Sequence, residues 1–225
     1  MQLTLGFIVL AATTSLSAAS ITVHSGNGSV GSADSAVHFL LGPASTDFAA
    51  AFTAANFTSA RTGPFARIIA PNGAWVPASS IPGALWIGDN VNAASSSGNT
   101  DLYAISFTIP VAFSSASFAI SYSVDNQLGG SNAPIYLNGT ALVPSATPGT
   151  FSSVFSYSNP SVGASLTTGT NWLYLDAVNL GGPAGLLFSA TITTVDAAGA
   201  PEPSTWMGLA TGLAALAAFR RLGRA

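Results

Sequence analysis

The sequence predicts an all-β protein, a single antiparallel β-sandwich or jelly roll, from three observations. Residues 103–109, 118–124 and 186–193 alternate apolar and small polar side chains with a period of two. This alternation, rich in β-branched and aromatic residues, is typical of half-buried antiparallel strands. Turn signals such as Asn138-Gly139 separate the segments. No long amphipathic helix interrupts them, and short strands at this spacing are typical of sandwiches and jelly rolls.

Shorter strands and one short helix complete the predicted order of elements. The further strand candidates are residues 21–24, 36–41, 66–70, 84–88, 134–137, 151–157 and 171–178. Residues 46–60 contain an alanine run and are the one segment in which we expect a short helix. We find no internal repeat and no linker, so residues 20–198 are predicted to form one domain.

The predicted domain has almost no cationic side chains. The chain has no lysine, and residues 20–200 contain only Arg61 and Arg67 against seven aspartates and no glutamate. A surface with so few cations cannot neutralise a phosphate backbone, so we expect no nucleic-acid partner. Because the chain has no cysteine, disulfides and thiolate sites are excluded. We expect no cofactor.

The first 19 residues have the pattern of a secretory signal peptide. Residues 3–16 are largely apolar, and Ser17-Ala18-Ala19 offers small residues for cleavage before Ser20. Met1 and Gln2 supply no Lys or Arg, so the α-amino group is the only positive charge there. A core strand is the alternative interpretation. The signal-peptide interpretation is favoured because the other end of the chain, residues 201–225, also indicates export.

Residues 201–225 combine a rigid polar motif, an apolar run and a basic tail. The motif is Pro201-Glu202-Pro203-Ser204-Thr205, the apolar run covers residues 206–219, and the tail begins with Arg220 and Arg221. The prolines keep the motif extended, and the arginines favour the cytoplasmic side of a membrane. An apolar helix of this length spans roughly 21 Å, less than the ~30 Å hydrocarbon core. A buried C-terminal helix is therefore the alternative to a transmembrane sorting helix.

This tail resembles the PEP-CTERM sorting signal of exported bacterial proteins, also described as the ice-binding protein C-terminal type. The resemblance implies that an exosortase-type membrane protease of a Gram-negative bacterium reads residues 201–205 and the arginines. It also implies transient anchoring in the inner membrane, followed by transfer to the cell surface or the extracellular matrix. The expected organisation is a signal peptide (1–19), a β-sandwich domain (20–198) and a sorting signal (201–225).

Interior motifs resemble exported PEP-CTERM proteins with a sandwich related to galactose-binding, carbohydrate-binding modules. The motifs include Leu85-Trp86-Ile87-Gly88, Ile135-Tyr136-Leu137-Asn138-Gly139 and Gly169-Thr170-Asn171-Trp172-Leu173. The resemblance covers residues 21–195. It implies the fold and carries over no catalytic residue, because one fold serves many functions.

A sugar-binding surface needs an exposed aromatic platform flanked by polar groups. If Leu173 and Leu175 point inward, strand alternation places Trp172 and Tyr174 on the opposite face. These two rings are therefore the predicted platform. The predicted polar partners are Asp125, Asn126 and Asn179. In the alternative interpretation Trp172 belongs to the core.

Asp89, Asn90 and Asp101 lie in an oxygen-rich segment and are the calcium-ligand candidates. No EF-hand spacing is present, and Asp and Asn are also common in plain turns, so both interpretations stay open. Two histidines without cysteine leave no ligand set for a transition metal.

We find no catalytic constellation. The domain has two histidines, no nucleophile elbow and no glutamate. We therefore expect a non-enzymatic cell-surface or matrix protein that is structural or associated with extracellular polysaccharide. A polysaccharide-acting hydrolase is the alternative, and it needs two Asp carboxylates within about 10 Å in a cleft. Ice binding is a third possibility. It requires a flat, regular threonine array, whereas the threonines are scattered along the sequence.

Overall fold

The computed structural model describes residues 17–92, 98–143, 149–197 and 212–213. Ala18–Asp196 forms one compact unit. The sorting motif, the basic tail and nearly all of the predicted signal peptide and apolar run lie outside the described residues. Among the described residues, no helix is both long and apolar enough to cross a membrane.

Within the described ranges the unit contains twelve strands, one α-helix and two 3₁₀ turns. The strands are β1 (Ala18–His24), β2 (Ala33–Ala44), β3 (Phe65–Ile68), β4 (Ile87–Gly88), β5 (Asn99–Ile109), β6 (Phe113–Asp125), β7 (Gln127–Leu128), β8 (Ile135–Leu137), β9 (Thr140–Ala141), β10 (Phe155–Asn159), β11 (Gly169–Val178) and β12 (Gly185–Asp196). The α-helix is α1 (Ala54–Thr62), and the 3₁₀ turns are Ala78–Ser80 and Gly163–Ser165.

All the described strand pairs are antiparallel, in the order β10-β6-β12-β4-β3-β2-β5-β11-β8-β9. β1 adds to β12, and β7 adds to β11. The sheet curls strongly, so that β6 and β12 face β5 and β11 across one apolar core. The predicted all-β, antiparallel class is confirmed, and the architecture is sandwich-like or jelly-roll-like.

The core follows from the period-two pattern of the longest strands. Phe118, Ile120 and Tyr122 of β6 pack in the same cluster as Leu173 and Leu175 of β11, and all five are buried. Burying a large apolar side chain contributes about 1.5–3 kcal/mol relative to leaving it exposed. Because alternate residues point away from this core, each layer also has an outer face, and the two outer faces carry the candidate sites.

Several predicted strands are shorter in the structure. The strand predicted at 66–70 ends at Ile68, the one at 84–88 is only β4, and the one at 151–157 begins at Phe155. Residues just before β4 form turn and loop contacts instead, such as the bond from the Ala84 amide to the Ile81 carbonyl. The Asn138-Gly139 turn is confirmed, since both residues have positive φ (50° and 85°).

The predicted helix at 46–60 begins later than expected. Asp47, Phe48 and Phe52 lie in an irregular segment, and α1 starts after Thr53. Asn56 explains this start, because its side-chain oxygen accepts hydrogen bonds from the Thr53 amide and hydroxyl, both at 2.8 Å. Such a bond satisfies a free donor at a helix N-terminus.

The first strand overlaps the end of the predicted signal peptide. Ala18 pairs with Val195 and Ala19 pairs with Thr194 of β12. Cleavage before Ser20 would therefore remove two residues from β1 and leave five residues of its ladder, Ser20 to His24, in place.

Candidate functional site

The outer face of β5, β8 and β11 is covered by an aromatic cluster. Tyr136 of β8 pairs with Tyr174 of β11, and Phe57 of α1 lies over both, with ring centroids 5.1 and 4.8 Å away. Phe52 adds an edge-to-face contact with Tyr136 at 5.9 Å. Tilted and edge-to-face pairs at these distances are favourable arrangements of aromatic rings. The cluster fixes α1 against the sheet.

An open cleft of about 440 Å³ lies at the edge of this cluster, and we call it the α1 cleft. Its lining residues are Phe52, Ala54, Phe57, Thr58, Arg61, Asn138, Gly139, Trp172 and Tyr174. The half-buried ring of Trp172 is nearly parallel to that of Tyr174, with centroids 6.4 Å apart and an interplanar angle of 25°. The cleft therefore presents an indole ring whose orientation is set by a buried neighbour.

The side chain of Asn138, in the β8–β9 turn, holds the backbone at Trp172 in place. The side-chain oxygen of Asn138 accepts a hydrogen bond from the Trp172 amide at 2.9 Å. Its side-chain nitrogen donates to the Ser165 carbonyl and to the side-chain oxygen of Asn171. Asn138 thus joins the turn to β11 and fixes the backbone that carries Trp172.

Arg61 supplies the positive charge of the α1 cleft. Its exposed guanidinium donates to the Thr58 hydroxyl at 3.3 Å. Burial raises the pKa of Tyr174, and the nearby charge of Arg61 partly offsets that increase. An arginine has five N–H donors, so most of them stay available to a ligand in the cleft.

The predicted aromatic platform is only partly correct. Leu173 and Leu175 do point into the core, and Trp172 and Tyr174 do share the opposite face. Trp172 is half-buried at the α1 cleft, but Tyr174 is only 2% exposed, because Phe57 packs against it. The aromatic residues at 48, 52 and 57 are visible in the sequence, but the strands that they cover are set by the fold.

The three predicted polar partners do not line the α1 cleft. Asp125 accepts a hydrogen bond from the Trp75 indole at 2.9 Å, and burial raises its pKa. Asn126 accepts one from the Leu180 amide at 2.7 Å. Asn179 is fully buried and donates to the Gly98 carbonyl. Their side chains join the loops that follow β6 and β11, so the expectation that they flank Trp172 is wrong.

The calcium candidates are placed close to one another. Asp89 accepts hydrogen bonds from the side-chain amides of Asn90 (2.7 Å) and Asn99 (2.6 Å). Asp101 is buried, and burial together with the charge of Asp89 raises its pKa well above the usual range. Among the described residues, no group of three or more His, Cys, Asp or Glu is placed to hold a metal. Calcium at Asp89, Asn90 and Asp101 stays a prediction.

The opposite outer face carries regular rows of hydroxyl side chains, and we call it the hydroxyl face. Each row crosses neighbouring strands in register. The rows are Ser20–Thr193–Ser117, Thr22–Thr191–Ala119–Ser158 and His24–Ser189–Ser121–Ser156. Hydroxyls of adjacent strands hydrogen bond to each other, as in the pairs Ser20–Thr193 at 3.2 Å and Ser121–Ser156 at 3.1 Å.

This array brings together hydroxyl residues that are scattered along the sequence. Thr22, Thr191 and Thr193 are far apart in sequence, but β1 and β12 place them side by side. The sequence contains only the alternation of hydroxyl residues along each segment, and the strand register that aligns them depends on the fold. A second cleft of about 490 Å³ lies over the rows, with Ser121, Ser156 and Thr191 in its lining.

No family model matches the chain, and no curated protein matches it. Among solved structures, the chain is similar to a family 35 carbohydrate-binding module from Clostridium thermocellum (12% identity, TM-score 0.32, covering 56% of this chain and 86% of that chain). It is also similar to CBM35 from Cellvibrio japonicus Abf62 (12%, 0.31, 80% and 100%). A third is the isomalto-dextranase of Arthrobacter globiformis T6 complexed with panose (10%, 0.29, 80% and 33%). Similarity at this level identifies neither a family nor a ligand.

Proposed function

We propose that the protein is a non-enzymatic, exported glycan-binding protein that holds extracellular polysaccharide in the α1 cleft. The observation that carries this proposal is the half-exposed Trp172 ring beside Arg61 and Thr58. A flat apolar ring next to hydrogen-bond donors suits a sugar, which has apolar C–H faces and polar hydroxyl edges. The volume of about 440 Å³ lies in the range of small-ligand sites.

The rigidity of the cleft supports the same function. Trp172 packs against Tyr174 and is held through Asn138, so little side-chain freedom is lost when a ligand stacks on it. Arg61 brings N–H donors that match hydroxyl or carboxylate groups of a sugar. The cleft thus has an oriented platform and a polar edge before any ligand arrives.

Glycan binding is tested by a glycan array and by pull-down with purified matrix polysaccharides, using the full-length chain. We expect binding to at least one extended polysaccharide and none to nucleic acid. Failure to bind any matrix glycan would remove the binding function. The export part would survive that result, because it rests on the two terminal segments.

The export part of the proposal rests on the tail sequence. Residues 201–205 would be read by an exosortase-type protease, and Arg220 and Arg221 would hold the apolar run at the inner face of the membrane. Cell fractionation of the double variant Arg220→Glu/Arg221→Glu tests this step. We expect the variant to be misplaced, and normal delivery to the cell surface would contradict the proposal.

The hydrolase alternative finds no support in the two clefts described above. Neither lining contains an Asp or a Glu among the described residues. Glycoside hydrolysis by the usual route needs two carboxyl groups on either side of the scissile bond. We therefore do not propose hydrolysis at either cleft.

The hydroxyl face favours ice binding as a second candidate function. Its rows repeat about 4.8 Å across the strands and about 6.7 Å along them, and an ordered crystal surface requires such a regular repeat. Ice-affinity partitioning of the full-length chain tests this candidate, with Thr191→Tyr as the variant that breaks the array. Equal partitioning of the two proteins would eliminate it.

A further inference from the structure

Among the described residues, one buried carboxylate has no hydrogen-bond partner for either of its oxygens. Asp176 of β11 lies opposite Leu102 of β5 and is completely buried. Neither of its carboxylate oxygens has a hydrogen-bond partner among the described residues. A buried carboxylate without hydrogen bonds is strongly disfavoured. Such a group is expected to bind a proton or a cation.

Asp34 shows what a buried carboxylate needs when it is only structural. It is also completely buried, but it accepts four hydrogen bonds. They come from the backbone amides of Gly26 (2.7 Å), Ala36 (2.9 Å) and Val37 (3.2 Å) and from the side chain of Asn27 (3.2 Å). Asp176 differs from Asp34 because its carboxylate accepts no such hydrogen bonds within the described ranges.

The negative charge of Asp47 makes an ionised Asp176 still less favourable. Burial, and then the negative charge of Asp47, raise the pKa of Asp176 to about 8. The domain offers only two arginines, and both have other bonds in the structure. Arg61 donates to Thr58, and Arg67 donates to the Gly31 carbonyl at 2.6 Å. Among the described residues, neither arginine bonds to the carboxylate of Asp176.

Backbone hydrogen bonds join Asp176 to the loop between β7 and β8, and the same loop contacts Asp47. The Gly129 amide donates to the Asp176 carbonyl at 2.7 Å, and the Asp176 amide donates to the Pro134 carbonyl at 3.0 Å. The loop between them bonds to Asp47, whose Oδ2 accepts from the Ser131 amide at 2.5 Å. Asn132 of the same loop donates to the Phe48 and Ala50 carbonyls.

We propose that Asp176 and Asp47 bind a calcium ion between the segment before α1 and the Gly129–Pro134 loop. Both are hard oxygen ligands, and Ca²⁺ accepts 6–8 such ligands in irregular geometry, including backbone carbonyls and water. Mg²⁺ requires a nearly ideal octahedron, and zinc prefers nitrogen and sulfur. Asp47 is only half-buried, so the ion has a route from solvent.

This site lies apart from the sequence-predicted candidates Asp89 and Asn90 and does not depend on glycan binding. The third candidate, Asp101, lies on β5 opposite Ala177, next to Asp176 along the strand, and is not one of the proposed ligands. Asp89 and Asn90 belong to the β4–β5 loop, whereas Asp47 precedes α1. A calcium ion at Asp47 and Asp176 would bind the Asp47–Phe52 segment to β11. That segment carries Phe52, which lines the α1 cleft, so the ion would also fix one wall of the cleft.

The test is thermal unfolding and isothermal titration calorimetry of the full-length chain, first treated with EDTA and then titrated with CaCl₂. We expect calcium to raise Tm by about 5 °C or more, and MgCl₂ at equal ionic strength to have a much smaller effect. Asp176→Asn should abolish the calcium-dependent shift. Asp34→Asn is the matched control: it should lower Tm and keep the shift.

Two results would overturn the proposal: no calcium-dependent shift in the native sequence, or a full shift in Asp176→Asn. If Asp176→Asn does not fold, the half-exposed Asp47 gives a second variant. Asp47→Asn should bind calcium at least tenfold more weakly by calorimetry. An unchanged calcium affinity in Asp47→Asn would equally contradict the site.

Discussion

The two outer faces of the sandwich differ in whether their polar side chains have hydrogen-bond partners. On the hydroxyl face, neighbouring strands present Ser and Thr side chains that bond to one another. On the face beside α1, aromatic rings cover the sheet, and neither carboxylate oxygen of Asp176 has a hydrogen-bond partner among the described residues. The hydroxyl side chains of the first face supply hydrogen-bond partners for one another. On the second face, a carboxylate has no such partner in the described part of the chain. We therefore place the function on the face beside α1, which carries the α1 cleft.

The strongest test of this difference is the pH dependence of stability in EDTA. The pKa of Asp176 is raised from 3.8 to about 8 in the folded state, so the folded protein binds more protons than the unfolded chain between these values. Stability should therefore be highest near pH 4 and fall as the pH rises towards 8. Each unit of pKa corresponds to about 1.4 kcal/mol, so the shift of Asp176 sets an upper bound of roughly 6 kcal/mol.

Urea unfolding of the native sequence and of Asp176→Asn between pH 4 and 8 measures this effect. The variant should show a clearly smaller decline, with the remainder coming from Asp101 and Asp125, whose pKa values burial also raises. Identical declines in the two proteins would mean that the carboxylate of Asp176 is not isolated.

The aromatic cover of α1 gives the next largest effect. Phe57→Ala removes the ring that contacts Tyr136 and Tyr174, and should lower the free energy of unfolding by about 3 kcal/mol. Chemical denaturation measures the loss. A loss below about 1 kcal/mol would show that α1 is not held by this cluster.

Asn138 should have an intermediate effect. Asn138→Ala removes side-chain bonds to Ser165, Asn171 and the Trp172 amide and places alanine at a φ of 50°. We expect a loss of about 2 kcal/mol, measured by chemical denaturation. Asn138→Gly separates the two causes, because it relieves the backbone strain and leaves the bonds missing.

The hydroxyl face should respond least. Ser121→Ala removes one hydroxyl that bonds to Ser156 near the surface, and should change the free energy of unfolding by less than about 0.5 kcal/mol. The same denaturation series measures it. A loss as large as that of Phe57→Ala would remove the distinction between the two faces.

Local sequence patterns predicted the strands but not the surfaces between them. The alternation at 103–109 and 118–124 predicted β5 and β6, because alternate side chains of each strand point into the core. The Asn138-Gly139 turn was readable for the same local reason. The burial of Tyr174 under Phe57 and the alignment of Thr22 with Thr191 were not readable. They depend on which segment covers a face and on strand register, which a local pattern does not specify.

The candidate site residues also divide into those that a local pattern predicts and those that depend on the tertiary structure. Trp172 was predicted on the outer face and lines the α1 cleft, because strand alternation alone places it there. Asp125 and Asn179 were expected beside it, but tertiary hydrogen bonds place them in other loops. Strand alternation puts Asp176 on the same face as Trp172, but no local pattern marks it as a site residue. Its isolation appears once the neighbouring loops are in place.

The most direct test of the central claim compares polysaccharide affinity in two matched variants of the full-length chain. Trp172→Ala removes the ring of the α1 cleft, and Thr191→Ala alters the hydroxyl face. For a matrix glycan bound by the native sequence, calorimetry should show at least a tenfold loss of affinity in Trp172→Ala, about 1.4 kcal/mol, and no change in Thr191→Ala. Native affinity in Trp172→Ala would contradict the assignment of glycan binding to the α1 cleft.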